Sequence, residues 1–380
     1  MSRRTVLSVF GTRPEAIKMA PVLRALAAEP DLRPMVCVTA QHREMLDQVL
    51  SLFEIRPDHD LDLMREGQTL TEITTGTLTR LGPYLADTRP DLLLVQGDTT
   101  TTMAASLAAF YRRIPVAHVE AGLRTGDNRY PYPEEVNRRI TTVIAEHHFA
   151  PTEGARNNLL REGIPDRRIT VTGNTVIDAL LGVVRMKPSR MPPLPLRGSR
   201  IVLVTAHRRE NFGAPMAEII GALRDLAERY PDLDLVYPVH RNPNVDGPVR
   251  AALRNAPGIH LIHPLEYKAF ADLMAASTLI LTDSGGIQEE APSLGKPVLV
   301  LRDETERPEA VEAGVVRLVG PHRKAIVAAA CELLDDPKRY AAMATAVNPY
   351  GDGKAAGRIV AKVKEMLREW SGSRSSGGES

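Results

Sequence analysis

Short apolar runs alternate with longer amphipathic stretches from the first residues of the chain onward. The runs 6–10, 35–39, 92–96 and 116–119 are rich in Val, Leu and other apolar residues and stop at Gly, Gln, Thr or Glu, which predicts short buried strands. Between them the stretches 15–28, 70–85, 100–111 and 134–145 carry helical patterns. Strands that are apolar on both faces and alternate with helices predict repeated βαβ units around a parallel sheet. The pattern breaks at KPSRMPPLPLRG, 187–198, whose prolines fit neither a helix nor a central strand. It then restarts, with predicted strands at 201–205, 235–239, 260–262, 279–282 and 298–301 and helices at 216–229 and 324–334. A last amphipathic helix is predicted over 355–370, before the polar SGSRSSGGES.

This alternation predicts an α/β protein of two Rossmann-like doubly wound parallel-sheet domains facing a cleft. Residues 1–185 form the first, 186–199 the linker and 200–353 a nucleotide-binding second domain. The 354–370 helix is expected to cross back to the first domain, with 371–380 a disordered tail. Ligands of open parallel sheets bind beyond the carboxyl ends of the strands, so chemistry is sought there.

Composition removes several function classes. The chain has 380 residues, 43% of them apolar and 25% charged, with a formal net charge of +1. This balance gives no reason to expect a nucleic-acid partner. No stretch reaches membrane-spanning length, and the N-terminal apolar run is too brief for a signal peptide, so a cytoplasmic protein is expected. Cys37 and Cys331 have neither CxxC nor Cys/His spacing and read as buried free thiols. Neither GxGxxG after the first strand nor GxxxxGK[ST] occurs, which argues against a dinucleotide-dependent dehydrogenase and a P-loop enzyme. No cofactor and no metal are expected.

Polar clusters fall where predicted strands stop. The first strand runs into GTRPEAIK, placing Arg13 and Lys18 around a helix entrance, where they can neutralise a pyrophosphate or stand as solvated charges. The strand ending at Gln96 is followed by GDTTT, in which Asp98 is either functional or an N-cap for Thr100 or Thr101. Glu120 sits at a strand end, where a carboxylate needs a partner or a purpose. Glu134 and Glu135 open a helix, a position that stabilising the helix dipole also explains. His207, beside Arg208 and Arg209, ends the first strand of the second half. Finally, DSGGIQEE, from Asp283 to Glu290, reads as a phosphate-binding turn. Gly285 and Gly286 let an anion reach the backbone, and the helix that follows is expected to carry Glu289 and Glu290 in its first turn.

The motifs GTRPEAIKMAP, TAQHREML, GDTTTT, HVEAGLRTGD, YPEEVNRR, TGNTVIDAL, DSGGIQEEAPSLGKPVLVLRDETERPEA and NPYGDGKA, in this order, closely resemble those of the non-hydrolysing UDP-N-acetylglucosamine 2-epimerases. The likeness runs from about Val6 to Leu367. It implies a glycosyltransferase-B-like fold, a homodimer, and cofactor-free interconversion of UDP-GlcNAc and UDP-ManNAc, feeding cell-surface polysaccharide. The route implied is elimination of UDP to 2-acetamidoglucal and re-addition, with an open form without ligand and a closed form with it. By the same resemblance, Asp98, Glu120, Glu134 and His207 are catalytic. Arg13, Lys18, Phe270, Ser284, Gly285, Gly286, Glu290 and Arg307 bind the substrate, with Phe270 beside the base and Glu290 at the ribose. Gln41, Arg208 and His240 match an activator site for a second UDP-GlcNAc, although Glu44 and Gly67 depart from the Gln and Arg of some members. Leu265 stands where many relatives have Gln in the uracil pocket. The rival readings are a UDP-sugar glycosyltransferase of the same architecture, a hydrolysing epimerase, and a nucleotide-sugar sensor without catalysis.

Overall fold

The computed structural model describes residues 3–39, 43–65, 67–189, 194–198 and 200–376. The chain divides into two compact units, residues 1–179 with 351–380, and residues 180–350.

The first unit is built on β1 (Arg4–Phe10), β2 (Leu32–Val38), β3 (His59–Asp60), β4 (Leu92–Gln96), β5 (Val116–Val119), β6 (His147–Ala150) and β7 (Ile169–Val171). They form one sheet in the order β3-β2-β1-β4-β5-β6-β7, with every recorded pair parallel. Parallel strands are hydrogen-bonded on both edges and covered on both faces, which is why β1 and β4 read as near-continuous apolar runs. Leu7, Val9, Leu93 and Val95 on one face pack with Ala105, Ala108 and Ala109 of the Thr100–Tyr111 helix. Those alanines let that helix lie close to the sheet.

The second unit repeats the plan with β8 (Arg200–Thr205), β9 (Leu233–Pro238), β10 (Ile259–Ile262), β11 (Leu279–Thr282), β12 (Val298–Val300) and β13 (Val316–Leu318), in the order β10-β9-β8-β11-β12-β13 and again parallel. Val202, Val204, Leu279, Leu281 and Leu299 pack under Ile219, Leu223 and Leu226 of the Ala214–Arg229 helix. The described residues of the proline-rich segment are tied to this unit. Ser189 donates twice to Asp272, and the backbone N–H groups of Arg197 and Gly198 donate to buried Asp234.

The Ala355–Ser376 helix belongs to the first unit and continues past the Trp370 end read from the sequence. Asp178 accepts the N–H groups of Ala355 and Ala356, so a neighbouring helix supplies its cap. Further along, Lys364 pairs with Glu29 and Asp31, and Ile359, Val360 and Val363 are buried.

Four strands have no counterpart in the sequence reading: β3, β6, β7 and β13. They have two to four residues, β6 carries two histidines, and β13 has Arg317 at its centre, so none shows a clear apolar run. Cys37 is buried, as its apolar run implies, and burial pushes its thiol up to about 12; Cys331 is only half-buried.

Candidate active site

In each sheet the strand order reverses at one place, between β1 and β4 in the first unit and between β8 and β11 in the second. A crevice opens where neighbouring crossovers diverge, and ligands of doubly wound sheets settle there. Arg13 and Asp98 follow β1 and β4. His207 and Ser284 follow β8 and β11.

The strand-end site of the first unit starts with a close approach. A Cβ on Gly11 would lie 2.0 Å from Thr39 Oγ1, so glycine is the residue that lets β1 turn over β2. Glu15, four residues on and 2% exposed, accepts the N–H groups of Gly11 and Thr12, and through its other oxygen the hydroxyls of Thr99 and Thr102 at 2.7 and 3.1 Å. One carboxylate thus joins the turn after β1 to the turn after β4. Nothing in its spacing separated it from an ordinary first-turn acid. Thr99, not Asp98, caps the next helix by accepting the N–H of Thr102, which corrects the N-cap alternative for Asp98.

Asp98 instead faces Arg138 of the Glu134–Ile144 helix, whose Nη2 donates to Oδ2 at 2.6 Å. Burial pushes the Asp98 carboxyl up, the Arg138 guanidinium opposes this, and Glu120 and Glu134 push the same way as burial. Glu120 adopts φ +66°, a left-handed conformation rare for a residue with a Cβ, and strain of this kind is typical of residues aimed by their surroundings. Its carboxylate accepts Lys18 Nζ at 2.5 Å, Asn174 Nδ2 at 3.0 Å and Gln96 Nε2. Lys18 is therefore not a solvated charge on a surface helix. Arg13, half-buried, makes no ion pair among the described residues. Glu134 sits at the first helical position, close enough to act on Asp98 electrostatically. Glu135 is wholly buried and accepts the N–H groups of Thr125 and Gly126, so it fastens the preceding loop.

The strand-end site of the second unit is organised by Asp283, which is fully buried. Its Oδ2 accepts the N–H groups of His207 and Arg208, at 2.7 and 2.8 Å, and Asn211 Nδ2 at 3.0 Å. Oδ1 lies 3.4 Å from His207 Nδ1. Burial lowers the His207 imidazole below its ordinary value, Asp283 opposes this, and His240 and Arg208 reinforce it. The His207 and His240 rings stack at 5.3 Å. Two residues assigned to an activator site, Arg208 and His240, thus adjoin the candidate catalytic histidine. Gln41 lies outside the described residues, as does the Glu44 side chain.

The turn Ser284–Gly285–Gly286 opens a helix of only six residues, Gly285–Glu290, so Glu289 and Glu290 close it and do not occupy its first turn. Pro292 and a tightened 3₁₀ turn over Ala291–Leu294 stop it. So short a helix has a weak dipole. The positive charge comes from side chains instead: a Cβ on Gly285 would meet Arg208 Nη2 at 3.6 Å and Arg307 Nη2 at 3.8 Å. Arg307 is aimed by Glu289, which its Nε touches, and by its own donation to the Glu306 carbonyl. Glu290 lies beside the Tyr267–Ala276 helix that carries half-buried Phe270, with Tyr267 Oη 3.4 Å from Oε2.

Chemically, the site of the first unit offers two carboxylates with different environments, one restrained by Arg138 and one by Lys18. That arrangement suits proton transfer to and from carbon. The second offers two guanidinium groups around a backbone without a side chain, which suits a diphosphate. Among the described residues no group of His, Cys, Asp and Glu is arranged to hold a metal, and no helix is long and apolar enough to cross a membrane.

Known proteins share this plan. A family model described as UDP-N-acetylglucosamine 2-epimerase matches residues 24–364. The UDP-N-acetylglucosamine 2-epimerase of Escherichia coli (strain K12) is 58% identical over 94% of this chain and 98% of its own. A putative UDP-N-acetylglucosamine 2-epimerase structure from Listeria monocytogenes superimposes with TM-score 0.91 at 48% identity, covering 97% of this chain and 98% of that one. The Neisseria meningitidis enzyme bound to UDP-GlcNAc gives 0.83 at 52%, covering 95% and 100%. The glycotransferase of kitacinnamycin, at 13% identity and TM-score 0.63 over 94% and 99%, shares the fold alone. Two parallel-sheet α/β units of the glycosyltransferase-B kind, with a full-length match in sequence and structure, place the chain in the UDP-N-acetylglucosamine 2-epimerase family.

Proposed function

We propose that the chain interconverts UDP-N-acetylglucosamine and UDP-N-acetylmannosamine by inverting C2, without hydrolysis and without a cofactor. The observation that carries this reading is the pair Asp98 and Glu120, held just past the ends of the neighbouring strands β4 and β5 by separate cations. A transferase needs no two such acids at the sugar.

C2 has no neighbouring carbonyl to acidify its hydrogen. Breaking the C1–O bond to UDP first gives C1 oxocarbenium character; loss of the C2 proton to a carboxylate then leaves 2-acetamidoglucal and UDP. Re-addition forms the C1–O bond again while a second carboxylate delivers a proton to the opposite face of C2. Asp98 and Glu120 serve as these opposed groups, and Glu134 relays or orients. Arg208 and Arg307 hold the departing diphosphate against the Ser284–Gly286 backbone, where fixed donors stabilise developing charge without reorganising. His207 stands near the leaving phosphate, Arg13 assists there, and Phe270 and Glu290 take base and ribose. The protein is proposed to work in the cytoplasm and as a homodimer, and for the homodimer the support is an exposed apolar ridge on the Glu134–Ile144 helix, Val136, Ile140 and Val143.

Incubation with UDP-GlcNAc alone tests the reading. Epimerisation yields UDP-ManNAc in the NMR spectrum. Free ManNAc with UDP would mean a hydrolysing enzyme, and no product without an acceptor would mean a transferase.

A further inference from the structure

We infer that Arg138 is a positioning residue for Asp98, gripping its carboxylate from the Glu134–Ile144 helix and supplying the charge that opposes it. The inference rests on the reading of Asp98 as a proton carrier. The helix presents Asn137 and Arg138 to one target: Asn137 Nδ2 donates to the Asp98 carbonyl at 3.0 Å, while Arg138 Nη2 donates to the Asp98 carboxylate at 2.6 Å. Backbone and side chain of a single residue are therefore held from one turn of one helix. Arg138 is itself restrained. It is 8% exposed, and its Nη1 lies 3.4 Å from Oε2 of Glu135, which is wholly buried and fastened to the Thr125–Gly126 backbone. The guanidinium bridges two carboxylates, one anchored in the interior and one, Asp98, whose side chain is still about a third exposed. Its Nε has no hydrogen-bond partner among the described residues, so the side chain is placed for the two acids and not for its own full satisfaction.

The charged groups that face Asp98 are Arg138 and Glu134 from this helix, Glu120 from the end of β5 and Lys18 from the Arg13–Ala27 helix. Burial raises the Asp98 carboxyl and Arg138 is the largest charge opposing it. Without Arg138 the carboxylate takes up its proton at higher pH, so with Asp98 as the group that receives the C2 proton the activity is lost at higher pH on the acid side.

Arg138→Met and Arg138→Lys in the full chain test this, beside Asp98→Asn. In R138M, kcat is expected to fall on the order of 10²-fold with KM little changed, and the acid limb of the pH profile to move upward. R138K keeps the charge and loses the two-pronged grip, so kcat falls while the limb stays near its wild-type position. A fall in kcat of R138M with an unmoved limb would show a merely structural role and overturn the inference, as would wild-type kcat in either variant. Should R138M not fold, R138K carries the test through its kcat. Near-wild-type turnover of D98N would instead remove Asp98 from the proton carriers, a failure of the underlying reading and distinct from the other two.

Discussion

At the scale of the residue, Gly285 makes the sharpest statement. A methyl group there would meet two guanidinium groups at 3.6 and 3.8 Å, ordinary van der Waals contact. The fold therefore tolerates Gly285→Ala, and the missing side chain leaves room for a guest. G285A is expected to melt at the wild-type temperature but to bind UDP about 10- to 100-fold more weakly in calorimetry, the cost of one or two lost charge-assisted hydrogen bonds. Unchanged UDP affinity would mean that the diphosphate lies elsewhere. Asp98 and Glu120 were legible as candidates because they follow strands of unmistakable apolar character. Glu15, Glu135, Arg138 and Asp283 were not recognised as organisers, because their importance lies in which distant backbone they reach. Glu15 bonds residues on two different turns, and no local spacing encodes that.

At the scale of the element, the strand-end loops are stapled in pairs. Asp283, at the end of β11, holds the loop after β8 through three donors. Asp283→Ala takes the acceptor from the His207 and Arg208 N–H groups and leaves Asn211 Nδ2 with the Leu301 carbonyl alone, and is expected to destabilise the protein by about 3 kcal/mol in urea unfolding, with weaker UDP binding. A loss of under about 1 kcal/mol would show that the loops hold without it. Adjacent strands β5 and β6 set a second expectation. His118 and His148 face each other in register, and burial holds their imidazoles at about 4 and about 3, with neighbouring His147 at about 4. Between these values and the ordinary histidine range the unfolded chain binds more protons, so stability is full above pH about 6.5 and falls as pH drops toward about 4. Melting temperature against pH checks this, and a flat profile between those values would contradict it. His147 and His148 hid β6 from a reading based on apolar runs, whereas β4, β5 and β11 were legible to the residue.

At the scale of the whole molecule, the alternation of strands and helices on either side of a proline-rich segment was enough to read two parallel-sheet units. The crossing points of their strand orders were not, because order within a sheet is set by tertiary packing. Self-association belongs to this scale too. Val143 is 85% exposed, and Val136 and Ile140 continue its stripe at helical spacing, an apolar face that a second copy would cover. The parent is expected to sediment as a dimer and Ile140→Glu with Val143→Glu as a single 41.6 kDa chain; an unchanged dimer would place the interface elsewhere. The central claim is that UDP leaves, C2 surrenders its proton, and the sugar is rebuilt with the opposite configuration. Incubating the protein with UDP-GlcNAc in deuterium oxide tests it most directly. The account predicts deuterium at C2 of both UDP-ManNAc and recovered UDP-GlcNAc; UDP-ManNAc formed with its C2 proton retained would contradict it.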